Sequence, residues 1–153
     1  MDAPHTHFHN ITEYLAWDHD GQEDELFETR DAIDRSDLIT ALARFETYQR
    51  KLIRHMRLEE TILFPLIESL APAISTAVTE MRHEHGHVRQ ALLAMRRALL
   101  AGALDTFRQA SEDLELVLLA HEAREERFVY PVLDRCLSPE QRADVAARLA
   151  REP

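Results

Sequence analysis

The sequence predicts an all-α protein, an antiparallel up-down-up-down four-helix bundle with a short C-terminal fifth helix. Apolar residues recur at the three- and four-residue spacing that is typical of amphipathic helices packed in a bundle. The chain of 153 residues contains only 3 glycines, which argues against a turn-rich all-β fold. Short connections separate the long helical segments, so consecutive helices are expected to run antiparallel.

Capping and helix-breaking residues set the expected helix boundaries. Asn10, followed three residues later by Glu13, resembles a capping box at the start of the first helix. Ser36 is the expected cap of the second helix, Gly102 ends the third, and residues 138–141 cap the terminal helix. The expected helices are therefore 11–34, a second helix ending near 69, 74–101, a fourth helix ending near 137, and 139–150.

Each long helix carries one stripe of residues that is expected to face the bundle interior. The stripes are Leu15, His19, Gln22, Leu26 and Ile33 on the first helix; Phe45, Leu52, His55, Glu59, Ile62 and Leu66 on the second; Met81, His85, Val88, Leu92, Met95 and Leu99 on the third; and Leu114, Leu118, His121, Glu125, Phe128 and Val132 on the fourth. Histidines and glutamates thus occupy positions where packing favours apolar residues. A buried carboxylate is costly unless it has a partner or a cation.

Composition excludes several classes of function. The formal charge of -10 disfavours nucleic acids and anionic membrane surfaces as partners. The single cysteine, Cys136, leaves no internal disulfide framework, and the N-terminus lacks a signal-peptide pattern. We therefore expect a cytoplasmic monomer or homo-oligomer. The chain is expected to form a single domain over residues 1–153, which consists of an N-terminal arm (1–10), the bundle (11–136) and the terminal helix (139–150).

Two segments repeat each other at an offset of 66 residues. The first begins at His55 and reads HMRLEETILFPLIE, and the second begins at His121 and reads HEAREERFVYPVLD. The same offset relates His19 on the first helix to His85 on the third. The chain is therefore interpreted as a duplicated helical hairpin with pseudo-two-fold symmetry.

The repeated pattern predicts a dinuclear metal site. A histidine and a glutamate four residues apart lie on one face of a helix, about one turn apart. His55 with Glu59, and His121 with Glu125, would place two imidazoles and two carboxylates around one point. These ligands suit iron, manganese or zinc. From the symmetry, Glu59 and Glu125 are expected to bridge two metals that each bind two histidines.

The order of these motifs resembles the hemerythrin-like, or HHE cation-binding, family. A histidine, a His-x-x-x-Glu pair, a second histidine and a second His-x-x-x-Glu pair follow one another, with Pro65 and Pro131 six residues after the glutamates. The resemblance covers about residues 11–136. It implies a non-haem di-iron centre with an oxo or hydroxo bridge, and chemistry with dioxygen, peroxide or nitric oxide. By motif position, it carries over the metal ligands His19, His55, Glu59, His85, His121 and Glu125.

The third helix departs from the pattern of the oxygen-carrying members of that family. Those members have a His-x-x-x-His pair there, and His83 and His87 match its spacing. Both point about 160° away from the apolar stripe that contains His85, given the helical rotation per residue. His85 is therefore the expected ligand. In addition, Glu125 lies four residues after His121, where oxygen carriers have an aspartate five residues after, which favours the intracellular branch of the family.

The sequence thus predicts a di-iron protein that reacts with peroxide or nitric oxide, or handles iron under oxidative stress. The alternative is a non-catalytic sensor or carrier of dioxygen or iron, and zinc or manganese are the substitute metals. No catalytic residue is expected beyond the metal centre. Glu23, one turn after His19, is an alternative seventh ligand, although a solvated acidic face is the preferred interpretation. Glu122 could also ligate, but its angle places it off the interior stripe.

Overall fold

The computed structural model describes residues 7–153, and helices account for nearly all of them. Residues 1–6 of the predicted N-terminal arm lie outside the described part of the chain. The α-helices are α1 (Ile11–Asp34), α2 (Leu38–Leu58), α3 (Phe64–Leu70), α4 (Ser75–Leu100), α5 (Leu104–Arg124), α6 (Tyr130–Cys136) and α7 (Pro139–Arg151). A first π turn (Glu59–Leu63) joins α2 to α3, a second π turn (Glu125–Val129) joins α5 to α6, and a 3-10 turn (Pro72–Ile74) precedes α4. The predicted all-α bundle with a fifth terminal helix is confirmed.

Two side chains hold the start of α1. The Asn10 side chain accepts the Glu13 N–H at 2.8 Å, as predicted. The Glu13 carboxylate, however, accepts the N–H of His9 and not that of Asn10, so only half of the expected capping box forms. The Asp134 carboxylate, from α6, accepts the N–H groups of Ile11 and Thr12 at 3.0 and 3.1 Å. The N-terminus of α1 is therefore tied to α6 by a buried charge that satisfies its free donors.

The cap of α2 differs from the prediction. Asp37, not Ser36, accepts the N–H of Thr40 at 3.1 Å. Ser36 has a φ of 60° and belongs to the turn, where its left-handed backbone reverses the chain. The cap predicted for α7 at residues 138–141 is confirmed, and it is a capping box in which Ser138 and Gln141 exchange two hydrogen bonds.

Each His-x-x-x-Glu helix widens into a π turn at its glutamate. The Phe64 N–H donates to the Glu59 carbonyl, five residues earlier rather than four, and Tyr130 forms the matching bond with Glu125. A proline follows at the start of each resumed α-helix, where its missing N–H leaves no broken bond. The extra residue of each π turn rotates the helix beyond it by about 100° relative to an uninterrupted α-helix.

The π turns correct the predicted stripes beyond the two glutamates. The predicted interior residues are half-buried or exposed there: Ile62, Leu66, Phe128 and Val132. The buried residues are in each case the next in sequence: Leu63, Ile67, Val129 and Leu133. Before the turns and throughout α1 and α4, the predicted stripe residues are buried, apart from Leu118, which is half-buried.

A polar layer separates the bundle interior into two apolar clusters. One cluster contains Phe45, Leu92 and Phe107, and the other contains Leu15 and Leu133. The four stripe histidines lie along the helices between the two clusters. Burying a large apolar side chain stabilises the fold by about 1.5–3 kcal/mol, so the clusters can hold the helices on either side of the polar layer.

Within residues 7–153, no single helix is long and apolar enough to cross a membrane; only the bent pair Leu38–Leu70 and Pro72–Leu100, taken together, meets the criteria of length and composition.

Candidate metal centre

The polar layer brings together all six residues that the sequence predicted as ligands. Each is at most 3% exposed: His19, His55, Glu59, His85, His121 and Glu125. Their ligand atoms form two groups, and within each group they lie within 4.8 Å of one another. One group is Glu59, His85, His121 and Glu125, and the other is His19, His55 and Glu125. Glu125 therefore belongs to both groups.

Each glutamate reaches histidines of both halves of the chain. Glu125 lies 2.6 Å from Nε2 of His121 through one oxygen and 3.3 Å from Nε2 of His19 through the other. Oε2 of Glu59 lies 3.1 Å from Nε2 of His85 and 3.5 Å from Nε2 of His55. The Nε2 atoms also pair within each half, at 3.1 Å for His19 and His55. Carboxylates placed between two pairs of imidazoles suit two adjacent cations.

The outer nitrogen of every histidine in this layer is held by a carboxylate from a different helical segment. The Nδ1 pairs are His55 with Asp18, His85 with Glu60, His121 with Glu84, and His19 with Glu126. A carboxylate at Nδ1 keeps the proton there and leaves the Nε2 lone pair facing the interior, as metal-binding histidines require. This arrangement fixes both the tautomer and the orientation of each ring.

Two of these carboxylates, Asp18 and Glu84, were missed by sequence reasoning. The available signal was the offset of 66 residues, which relates Asp18 to Glu84 just as it relates His19 to His85. Arg124 donates to Glu84 at 2.7 Å. Burial raises the pKa of Glu84, but the hydrogen bonds from His121 and Arg124 outweigh it and lower the pKa below its ordinary value. The carboxylate thus stays ionised.

Tyr130 distinguishes the two halves of the centre. It is fully buried, and its hydroxyl donates to Oε1 of Glu59 at 2.6 Å. The residue at the matching position of the first half is Phe64, which has no hydroxyl. Burial, followed by the charges of Glu125 and Glu59, raises the pKa of Tyr130 well above its ordinary value, so it remains a donor. One oxygen of Glu59 is therefore engaged, whereas Glu125 presents both of its oxygens to histidines.

Protons hold the charge balance when no cation is bound. Burial lowers the pKa of His19, but the hydrogen bond and charge of Glu125 outweigh it and raise the pKa to about 10. For His121, burial is again outweighed by Glu125, and the pKa rises to about 9. Burial raises the pKa of Glu125, yet hydrogen bonds from these histidines keep it well below its ordinary value. The group is a buried cluster of ion pairs.

Metal uptake at pH 7 is expected to release at least two protons per chain, because pH 7 lies below the raised pKa values of His19 and His121. A metal binds only the unprotonated nitrogen, so it must displace both protons, and its apparent affinity should increase as the pH rises to about 10, the higher of the two pKa values. Anaerobic calorimetry with ferrous ion in buffers of different ionisation enthalpy measures the number released. Equal heats in all buffers would mean that these histidines are already neutral.

The donor set fits a metal ion. Among the described residues, Oε2 of Glu59 and both carboxylate oxygens of Glu125 are buried with no hydrogen-bond donor when the histidine protons are on Nδ1. Once His19 and His121 lose their extra protons, unprotonated Nε2 atoms and carboxylate oxygens without donors converge there, and a bound cation would offset their desolvation. Imidazole and carboxylate ligands are typical of iron, manganese and zinc sites.

Three of the four alternative ligand candidates lie outside the polar layer, and the fourth, Glu122, borders it. His83 and His87 are exposed on the outside of α4, and Glu23 is exposed on α1. Glu122 is half-buried and lines a space of about 10 Å³ between the four histidines. Burial raises the pKa of Glu122 to about 7, and the charge of Glu125 adds to this against the lowering effect of His19.

Comparison with known proteins assigns this fold and site to a family. The family model of the hemerythrin HHE cation binding domain matches residues 10–133, a segment that contains all six candidate ligands. No curated protein and no solved structure matches the chain. The family and the buried cluster of histidines and glutamates together indicate a metal site and point to iron. The chain belongs to the hemerythrin HHE cation-binding family.

Proposed function

We propose that this protein is a non-haem di-iron protein that reacts with peroxide or nitric oxide, or handles iron under oxidative stress. The observation that carries the proposal is the position of Glu125, which is shared by two groups of candidate ligands. A buried carboxylate between two pairs of histidines favours two metals over one. The proposed ligands are His19, His55, Glu59, His85, His121 and Glu125.

In this proposal each half of the chain supplies the two histidine ligands of one metal. His19 and His55 would hold one metal, His85, His121 and Glu59 would hold the other, and Glu125 would contribute to both. When bound, two iron ions supply Lewis acidity and one-electron redox chemistry. The chain itself orients the imidazoles through their Nδ1 carboxylates and excludes bulk water with the apolar clusters on both sides.

The space around the histidines supports a small reaction partner. It measures about 10 Å³, the room that one water-sized molecule occupies, and Leu52, Met56 and Leu118 form its apolar wall. Peroxide, nitric oxide and dioxygen are of this order of size. Glu122 lines the same space, and a carboxyl with a pKa of about 7 can hold or release a proton at neutral pH.

Metal analysis and turnover test this proposal. After anaerobic loading with ferrous ion, we expect roughly two iron atoms per chain, the count for a dinuclear site with shared carboxylates, and near-ultraviolet absorption after oxidation. Hydrogen peroxide should then disappear as dioxygen forms, since the conversion of two peroxides into two waters and one dioxygen needs no outside reductant. Nitric oxide consumption is followed separately with an added electron donor.

The possible outcomes distinguish a di-iron protein that consumes oxidants from a sensor or carrier of dioxygen or iron. One iron or none per chain, with no gain on loading, would contradict the dinuclear centre. Full loading without turnover, but with reversible dioxygen binding, would favour the sensor or carrier. The exposed positions of His83 and His87 weigh against that alternative, because they leave α4 without the histidine pair that the oxygen-carrier pattern requires.

A further inference from the structure

A second cavity lies beside the candidate metal centre, between α1, α2 and α5. Its volume is about 290 Å³. Leu118 and Glu122 line both this cavity and the small space between the four histidines, so the two are separated by a shared wall. A cavity of about 150 Å³ can hold benzene, so this one has room for an organic molecule of about ten non-hydrogen atoms.

Two buried polar groups in the cavity wall lack a partner. Gln22 and Tyr48 both line the cavity and are each 2% exposed. The Gln22 carbonyl oxygen and the Tyr48 hydroxyl form no hydrogen bond within residues 7–153. The amide nitrogen of Gln22 donates to Asp18 at 3.2 Å, which leaves the carbonyl oxygen as the free end of the side chain. Buried polar groups normally have partners, so these two atoms indicate a ligand that donates hydrogen bonds.

The charge of the wall is negative. The carboxyl groups of Glu23, Glu115 and Glu122 line the cavity, and Arg30 pairs with Glu115 at 2.9 Å. In the described part of the chain, Glu23 and Glu122 form no ion pair within 4.0 Å. The remainder of the wall is apolar, formed by Leu26, Leu116, Leu118 and Leu119. The cavity therefore combines acceptors and negative charge with an apolar surface.

We propose that this cavity binds a small organic cation, a primary ammonium group carried on an apolar body. An ammonium group has three donors and no acceptor, which matches the Gln22 carbonyl, the Tyr48 hydroxyl and the Glu23 carboxylate. The apolar body packs against the leucines. The bound molecule lies against the wall that the cavity shares with the metal centre, but its binding needs neither iron nor an oxidant.

Calorimetry on the full-length protein tests this proposal with three probes of similar size. 2-Phenylethylamine should bind with saturation, 2-phenylethanol should bind at least about tenfold more weakly, and phenylacetate should not bind, because charge-assisted hydrogen bonds are roughly twice as strong as neutral ones. An alcohol that binds as tightly as the amine, or an amine that shows no saturable binding, would overturn the proposal. The test is independent of iron content, so it can fail or succeed separately from the proposed function.

Matched variants locate the binding site. Glu23→Gln should weaken amine binding by roughly twofold to fivefold, as for a partly exposed ion pair, and Tyr48→Phe should weaken it by about twofold to tenfold. Glu28→Gln removes the same charge from an exposed position of α1 outside the cavity and should leave binding unchanged. If Glu23→Gln and Glu28→Gln weaken amine binding equally, the effect comes from the net charge of the protein, and the cavity is excluded as the binding site.

Discussion

Glu125→Ala should leave the protein with almost no bound iron, whereas Glu59→Ala should lose one metal and retain part of the other. The difference follows from geometry, because the Glu125 oxygens belong to both groups of candidate ligands and Glu59 belongs to only one. Removing one partner of a buried ion pair costs about 3–5 kcal/mol, so Glu125→Ala should also lower the stability of the metal-free protein. Elemental analysis after anaerobic iron loading measures the first effect, and urea unfolding the second.

Glu112→Ala is the matched control, since Glu112 is an exposed glutamate on α5 outside the polar layer. It should keep full iron content and wild-type stability. Circular dichroism should show that Glu125→Ala remains helical, because both apolar clusters are intact in this variant. Full occupancy in both the Glu59 and Glu125 variants would show that neither carboxylate bridges.

The second large effect is expected on α4. His85→Ala should lower the iron content and abolish oxidant turnover, because the His85 ring is fully buried and contacts Glu59 and Glu60. The double variant His83→Ala, His87→Ala should keep both properties nearly unchanged, since the two side chains are exposed on the opposite side of the helix. Iron content and the initial rate of peroxide consumption, measured for both variants, show which histidines of α4 bind the metal.

This comparison carries its own control, because all three histidines lie within one and a half turns of the same helix. Any general effect of losing a histidine from α4 should appear in the double variant as well. A loss of iron in the double variant with retention in His85→Ala would restore the oxygen-carrier pattern, and the functional proposal would then shift from oxidant turnover to reversible dioxygen binding.

Helical periodicity could predict which polar residues gather in the bundle interior, because these residues interrupt an otherwise apolar stripe. His85 was distinguished from His83 and His87 by its position between Met81 and Val88, which are both buried. A rotation of 100° per residue is reliable over the two turns involved. The repeat at 66 residues added the second half of the site without any knowledge of how the helices pack.

Helical periodicity predicted the wrong interior residues beyond Glu59 and Glu125. An α-helical pattern continued through Glu59 assigned Ile62 to the interior, but the first π turn inserts one residue and places Leu63 there instead. The only sequence sign of this turn was the proline six residues after each glutamate, and a proline at such a position is equally typical of a simple helix kink. A single widened turn leaves no separate periodicity by which it could be recognised.

Contacts between different helices could not be predicted from the sequence either. The bond between Asp18 and His55 depends on how α1 and α2 are rotated about their axes, which the spacing within one helix does not determine. The cavity lined by Gln22 and Tyr48 depends in addition on the position of α5. The helical spacing placed Gln22 on the interior stripe of the first helix, but its free carbonyl oxygen became evident only from the packing.

The four Nδ1 bonds follow one another around the bundle as a closed circuit. Asp18 on α1 holds a histidine of α2, the first π turn holds one of α4, Glu84 on α4 holds one of α5, and the second π turn holds His19 on α1. A histidine that moves towards or away from the interior must therefore pull on a neighbouring helix. A displacement of any one imidazole is thus passed to one neighbouring helix, while the three remaining bonds hold the other helices in register.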